Sequence, residues 1–387
     1  MNWSTSQPAD RRTSSRAHWI GAIVAAIVLI ASCSSTDRVE AGRGESSAPF
    51  GVGQIAVGEN GGWLIDLTSA GGGPSQFRTL TLAATGALDS APDGPSMLPN
   101  EALGVRNRLV VAGATCTKDA VSSDCDGQGV VAVLHEGAWR TFRFPAQPGD
   151  LQQNLVTIMG VADDGESVWL KVGFPEEGPN DGRIRAVRFD PVGLKALEWV
   201  PPSPGLGALC LVGERIVDYS IEPVLPPPVE AGAVPGVDDM VPKSVQVYEF
   251  VDGTWVPAAN GTWSGLRPRS ETLHCTPDGL STSTPGMKWS TLGWTSDRGW
   301  TERTAQSEIA QAGTVPVGNL VTGQPVASID GSAWIETEPG VWVKLPVAAQ
   351  KDSVPVLAIG NGLLGSCTDS SAAGQLTCGI RQWKDGE

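Results

Sequence analysis

An all-β fold, a single β-propeller of seven four-stranded blades give or take one, is what the 387-residue sequence predicts, and three observations carry that prediction. First, one unit recurs: alternating apolar residues, a turn carrying Gly, then a strand that opens near Trp. It stands at Val131–Phe142 (VAVLHEGAWRTF), Val245–Val256 (VQVYEFVDGTWV), Thr291–Thr301 (TLGWTSDRGWT) and Ile335–Lys344 (IETEPGVWVK), with a wider-turned version at Arg185–Val200. Second, Trp139, Trp199, Trp255, Trp300, Trp342 and Trp383 are separated by 60, 56, 45, 42 and 41 residues, and a period in this range marks repeats. Third, period-two apolar alternation broken by Gly, Pro, Asn and Asp assigns hairpins, and past the N-terminal region no segment keeps a helical period over three turns. Repeated hairpins of this kind stack as blades around a channel and shield one another's edges. One Trp per repeat, at a strand start, packs between blades.

Along the chain, residues 1–32 come first, with Arg11, Arg12 and Arg16 as a positive region and Trp19–Ala31 as an apolar run. That run falls short of the roughly 20 residues a spanning helix needs, so it predicts a secretory signal. It ends on Ile30-Ala31-Ser32-Cys33, which resembles the lipobox of bacterial lipoproteins. The resemblance implies cleavage after Ser32, a diacylglycerol thioether on Cys33, and a mature chain anchored by lipid on the extracytoplasmic face of a bacterial cell membrane. Acyl chains on one residue give the double anchor that stable attachment requires.

Residues 33–49 then form a lipidated N-terminus and tether, since Ser34–Pro49 (SSTDRVEAGRGESSAP) has almost no bulky apolar side chain to bury. The propeller occupies residues 50–387, with blades ending near Ala84, Pro145, Pro202, Ala258, Thr304 and Pro346 and a last one from Val354 onward. Pro-rich Glu222–Lys243 is expected to be a long loop inside one repeat. The last repeat stops where others begin a final strand, so Phe50–Val57 is expected to pair with it and close the ring.

Six cysteines follow Cys33, and an even number outside the cytosol predicts disulfides. Proximity pairs Cys116 with Cys125 and Cys367 with Cys378, leaving Cys210 and Cys275, which fall at the same place in successive repeats, to staple two blades. Thiolate zinc is not expected without a Cys-x-x-Cys spacing. Asp163-Asp164-Gly165-Glu166 and Asp238-Asp239 carry oxygen ligands of the kind Ca²⁺ takes, but acidic turns between strands are ordinarily solvated. No cofactor beyond the covalent lipid is expected. Without residues 1–32 the chain has 24 basic and 41 acidic residues, a formal charge of −17, which disfavours nucleic acid and leaves cationic partners open.

No nucleophile elbow, zinc-protease helix or phosphate-cradling loop appears. Thr295-Ser296-Asp297-Arg298-Gly299-Trp300-Thr301 resembles a degenerate Asp-box of sialidase and BNR-type propellers, with Asp297, Gly299 and Thr301 matching. In that family the box is a structural turn between outer strands, so the resemblance gives Asp297 and Gly299 a turn-forming role. Phe142-Arg143-Phe144-Pro145 is similar to the family's arginine motif, and Tyr219 and Tyr248 are the only tyrosines that could act as nucleophile. The expected function is therefore a membrane-anchored binding or scaffold module for envelope proteins or glycans, recognising them through loops at Lys118–Asp124, Pro175–Arg183 and Glu222–Lys243. A sialidase-like envelope glycoside hydrolase is the alternative, and no catalytic residue is assigned.

Overall fold

The computed structural model describes residues 53–66, 76–115, 128–145, 155–173, 184–202, 208–223, 240–268, 272–283, 290–304, 306–311, 317–320, 322–348, 355–370 and 375–383. The signal segment, Cys33, the tether, Cys116, Cys125, Asp238, Asp239 and nearly all of the three expected recognition loops lie outside these residues. No helix among the described residues is long and apolar enough to cross a membrane.

The chain is a seven-bladed β-propeller of antiparallel sheets, each built from strands consecutive in sequence. Blade 1 comprises β1 (Gln54–Gly58), β2 (Gly61–Asp66), β3 (Arg78–Ala83) and β4 (Leu88–Ser90), and blade 2 comprises β5 (Leu98–Val105), β6 (Arg108–Ala114), β7 (Gly129–His135) and β8 (Ala138–Arg143). Blade 3 holds β9 (Leu155–Val161), β10 (Val168–Gly173), β11 (Arg185–Asp190) and β12 (Lys195–Trp199). Blade 4 holds β13 (Ala208–Val212), β14 (Arg215–Pro223), β15 (Met240–Val251) and β16 (Thr254–Pro268). Blade 5 holds β17 (His274–Thr276), β18 (Gly279–Ser281), β19 (Thr291–Thr295) and β20 (Gly299–Arg303). A helical turn, α1 (Ser307–Gln311), leads to blade 6, with β21 (Val317–Asn319), β22 (Pro325–Ile329), β23 (Ser332–Glu338) and β24 (Val341–Ala348). Blade 7 has β25 (Val356–Gly360), β26 (Leu363–Ser370) and β27 (Gln375–Gln382), three strands among the described residues.

Sequence explains the layering. In blade 2 the middle strands, RLVVAGA and GVVAVLH, are buried almost throughout because neighbouring blades cover both faces, whereas the outer strand AWRTFR is exposed except at half-buried Trp139 and Phe142. Hairpin ends at Glu136-Gly137, Asp252-Gly253 and Asn361-Gly362 have both central residues at positive φ, the geometry of two-residue turns that match strand twist. Strand alternation puts the first-to-second and third-to-fourth turns on one face of the ring. The second strands end, and the third strands begin, on the opposite face.

The apolar core is a ring of clusters, one at each seam except that between blades 5 and 6. Val110, Val131, Val156, Leu170 and Phe189 fill the seam between blades 2 and 3, and Ile55, Leu64, Leu82 and Cys367 fill the seam between blades 7 and 1. Between blades 5 and 6 the contact is largely polar. Ser281 Oγ donates to Glu336 Oε1 at 2.7 Å, Gly340 N to the same oxygen at 2.6 Å, and Trp342 Nε1 to Ser283 Oγ at 2.6 Å.

The periodic tryptophans sit at these seams. Trp139 lies edge-on to Phe77 of blade 1 at 5.2 Å and donates to Pro92 O at 2.9 Å. Trp199 of blade 3 lies edge-on to Phe250 of blade 4 at 4.9 Å, and the Phe250 ring also meets Trp255 at 5.1 Å. Trp300 donates from blade 5 to Gly261 O of blade 4 at 2.9 Å, Trp342 joins blade 6 to blade 5, and Trp383 packs with Leu345, Leu357 and Leu364. Trp300→Phe keeps the ring but strands the Gly261 carbonyl, so urea unfolding should show a loss of about 1 kcal/mol.

Two expectations are corrected. Residues 54–58 do not complete the last blade: Gln54 pairs with Ile65 and Val57 with Gly62, making β1 the innermost strand of blade 1. Its partner is two residues away, so the local hairpin forms at far smaller loop-closure cost than pairing across the whole chain. The N-terminal strand closes the ring by packing instead, because β1 lies against β25. Gly365 permits this approach, since a Cβ there would stand 2.7 Å from Val57 and 2.8 Å from Ile55. Blade boundaries also move: blade 1 continues past Ala84 to Ser90, and blade 4 past Ala258 to Pro268. In blade 4 a register shift between Gln246 and Tyr248 lets the outer ribbon run on.

Candidate functional site: the central cavity

Innermost strands β5, β9, β13, β17 and β21 line a cavity of about 270 Å³ at the ring axis. Neighbouring inner strands are stitched by side chains. Gln54 Nε2 donates to Asn100 O, Asn100 Nδ2 to Val156 O at 3.5 Å, and Asn361 Nδ2 to Val57 O at 3.4 Å. The Cys210–Cys275 disulfide, with Cα atoms 5.6 Å apart, staples β13 to β17 and forms part of the cavity wall. A second disulfide, Cys367–Cys378, bridges directly paired residues of β26 and β27.

Two bulges shape the cavity's charged side. Opposite β6, Pro99 pairs with Gly113 and Glu101 with Ala112, so Asn100 is extra; opposite β10, Gly160 pairs with Trp169 and Ile158 with Leu170, so Met159 is extra. An extra residue re-aims its neighbours. Glu101, Ile158 and Met159 all reach the cavity, and Ile158 N donates to Glu101 Oε2. Burial pushes Glu101 up to about 7, against the opposing pull of the Ile158 amide and Lys171. Lys171, one residue along β10 from Leu170, also lines the cavity. Burial lowers its ammonium pKa, while Glu101 and Asp218 act to raise it. Among the described residues no carboxylate oxygen lies within ion-pair distance of Lys171. Tyr219, His274, Asn319 and Thr322 also line the cavity, with Leu209, Leu211 and Leu273 as its apolar residues.

The remaining candidates are dispersed. Asp297 and Gly299 lie at the turn between β19 and β20. Asp297 is 72% exposed, beside Arg298 at 3.5 Å, on the rim of a groove of about 570 Å³ on the tight-turn face. Gly299 has φ 70° and would place a Cβ 2.5 Å from Asn260 of blade 4, so a side chain is excluded twice over. Asp163 and Asp164 contact Arg188 at 2.9 and 3.0 Å. Burial works to raise Asp164, but Ser167, the Glu166 amide and Arg188 outweigh it and hold the carboxyl well below the usual range. These carboxylates are engaged with a guanidinium and an Asx turn.

The tyrosine and arginine motifs of the sialidase reading have structural occupations. Tyr219 is buried, donates its hydroxyl to Leu273 O at 3.0 Å, and is pushed above its usual pKa by burial and Asp218. Arg143 is exposed on the outermost strand of blade 2, flanked by Phe142 and Phe144, whose rings pack 5.1 Å apart at the seam with blade 3. Strand alternation accounts for that motif.

No family model matches the chain, and no characterised protein matches its sequence. Solved structures do. The propeller domain of the Trilobed protease from Pyrococcus furiosus matches with TM-score 0.47 and 10% identity, over 88% of this chain and 97% of that one. Virginiamycin B lyase from Staphylococcus aureus matches with TM-score 0.45 and 9% identity, over 83% and 92%. An acylaminoacyl peptidase matches with TM-score 0.42 and 9% identity over 73% of this chain, which spans 45% of that protein's length. Similarity at this level concerns the fold and carries no activity to this chain.

Proposed function

We propose that this chain is a lipid-anchored, extracytoplasmic propeller that acts by binding, as a recognition or scaffold module for an envelope protein or glycan. The observation that supports binding over turnover is the central cavity. It joins charge to an apolar wall within a rigid ring, as recognition sites do, and its chemically suggestive groups are tied to the backbone. Glu101 holds the Ile158 amide and Tyr219 holds the Leu273 carbonyl, which gives both groups a structural task. The anchoring rests on the arginine-rich start, apolar run and Ile30-Ala31-Ser32-Cys33. A 270 Å³ cavity admits one small group, with the surrounding connections supplying the wider contact.

Expressed full-length in a lipoprotein-processing bacterium, the wild type should fractionate with membranes in a detergent-extractable form. Cys33→Ala should move to the soluble fraction with an unchanged Tm. A variant still held in the membrane would sink the lipid anchor. In-cell crosslinking and a glycan array on the extracted protein should return a specific partner, and turnover of fluorogenic glycosides would instead overturn the binding role.

A further inference from the structure

The cavity at the ring axis is lined by one carboxylate, one ammonium and several apolar side chains. Glu101 comes from β5 and Lys171 from β10, on neighbouring blades, and both line the space. Each charge is half-buried, and the groups lie apart: Glu101 Oε2 takes the Ile158 amide, and Lys171 has no carboxylate within ion-pair distance among the described residues. A charged group withdrawn from water is costly until something pairs with it. Leu209, Leu211 and Leu273 line the same space and give it an apolar stretch, Leu209 and Leu211 packing beside Met159. From this arrangement we infer that the cavity is a binding site for a small zwitterion, an α-amino acid with an apolar side chain.

The chemistry is complementary group by group. The ligand carboxylate meets Lys171, its ammonium meets Glu101, and its side chain lies along the leucines. Burial raises Glu101 and lowers Lys171, so each protein charge gains from the counter-charge the ligand brings. The volume, 270 Å³, sits just below the ~300 Å³ at which ordinary ligand pockets begin, which suits one amino acid. The bulges at Asn100 and Met159 bring Glu101, Ile158 and Met159 to the lining, and the Cys210–Cys275 disulfide fixes the part made by β13 and β17. This inference rests on the reading of the cavity as a recognition site and names its ligand.

Isothermal titration of the full-length, detergent-extracted chain with L-leucine is the test, beside two analogues that each lack one charge. L-leucinamide has no carboxylate, and 4-methylpentanoate has no ammonium. Leucine should bind, and each analogue should bind about tenfold more weakly or worse. Lys171→Met should erase the preference for leucine over leucinamide, and Glu101→Gln the preference over 4-methylpentanoate, with Tm reporting that each variant folds. The wild-type comparison decides the matter even if a variant does not fold. No heat with leucine, or equal binding of all three, overturns the zwitterion site; tight binding of 4-methylpentanoate makes it a simple anion site and overturns it too. If leucine fails while a crosslinked envelope partner persists, the ligand assignment falls and the binding role stands.

Discussion

The double variant Cys210→Ala/Cys275→Ala is expected to unfold about 4 kcal/mol more easily than the wild type in guanidinium titrations. The bridge joins residues 65 apart, and a cross-link over such a loop removes much of the freedom of the unfolded chain. Most of a typical domain's 5–15 kcal/mol could be spanned by two such losses. Cys367–Cys378 supplies an internal control, because its residues are only 11 apart and already face one another across β26 and β27. Loop-closure entropy alone makes its removal about 1.5 kcal/mol milder. Equal losses for the two would show that local packing, not chain entropy, sets the contribution. Alanine is the right replacement at Cys210, which is 1% exposed, since serine would add a buried hydroxyl.

Glu336 is the second site of large effect. It is fully buried at the polar seam and accepts from both Ser281 Oγ and Gly340 N. Glu336→Ala strands two donors and opens space, and should cost roughly 3 kcal/mol. Burial pushes its carboxyl from 4.5 up to about 7 despite the bonds from Ser281, Gly340 and Ser283. A folded-state value above the unfolded one means the native chain holds the proton more tightly. The resulting stabilisation is complete below pH 4.5 and is lost as pH rises through about 7. Stability should thus fall by about 3 kcal/mol between pH 4.5 and 8 from this group alone. Glu101, raised in the same direction, adds to the slope. Glu336→Gln should flatten the profile in part and the double Gln variant further. A profile that Glu336→Gln leaves as steep as the wild type would overturn the account.

The propeller was legible because its strongest signals are local. Gly-bearing turns, period-two strands and a Trp in each repeat report hairpins, and hairpins in succession report blades. Cys210 and Cys275 were legible for the same reason, as equivalent positions in adjacent repeats. The N-terminal strand was misassigned because a final three-stranded sheet invites a partner, while the cheap turn at Glu59-Asn60 that commits β1 to β2 carries no strong sequence mark. The charged wall of the cavity was missed. Glu101 and Lys171 are 70 residues apart in sequence, and the bulge that brings Glu101 to the wall leaves no pattern. A usable signal did exist in VWLKVG, where one lysine interrupts a strand whose other residues are all buried. An isolated charge in a doubly covered strand must face a cavity or a partner.

Every described strand pairing joins sequence neighbours, and this has a kinetic consequence. Each blade can zip up on its own, with low contact order, as soon as its own residues are available. Only the seam between the last blade and the first requires distant parts of the chain to meet, as the Asn361–Val57 contact does across 304 residues. Among the described residues that seam shares no ladder, only packing and a side-chain bond. Ring formation is therefore the slow, late event in folding, and the same junction is where the assembled ring opens first.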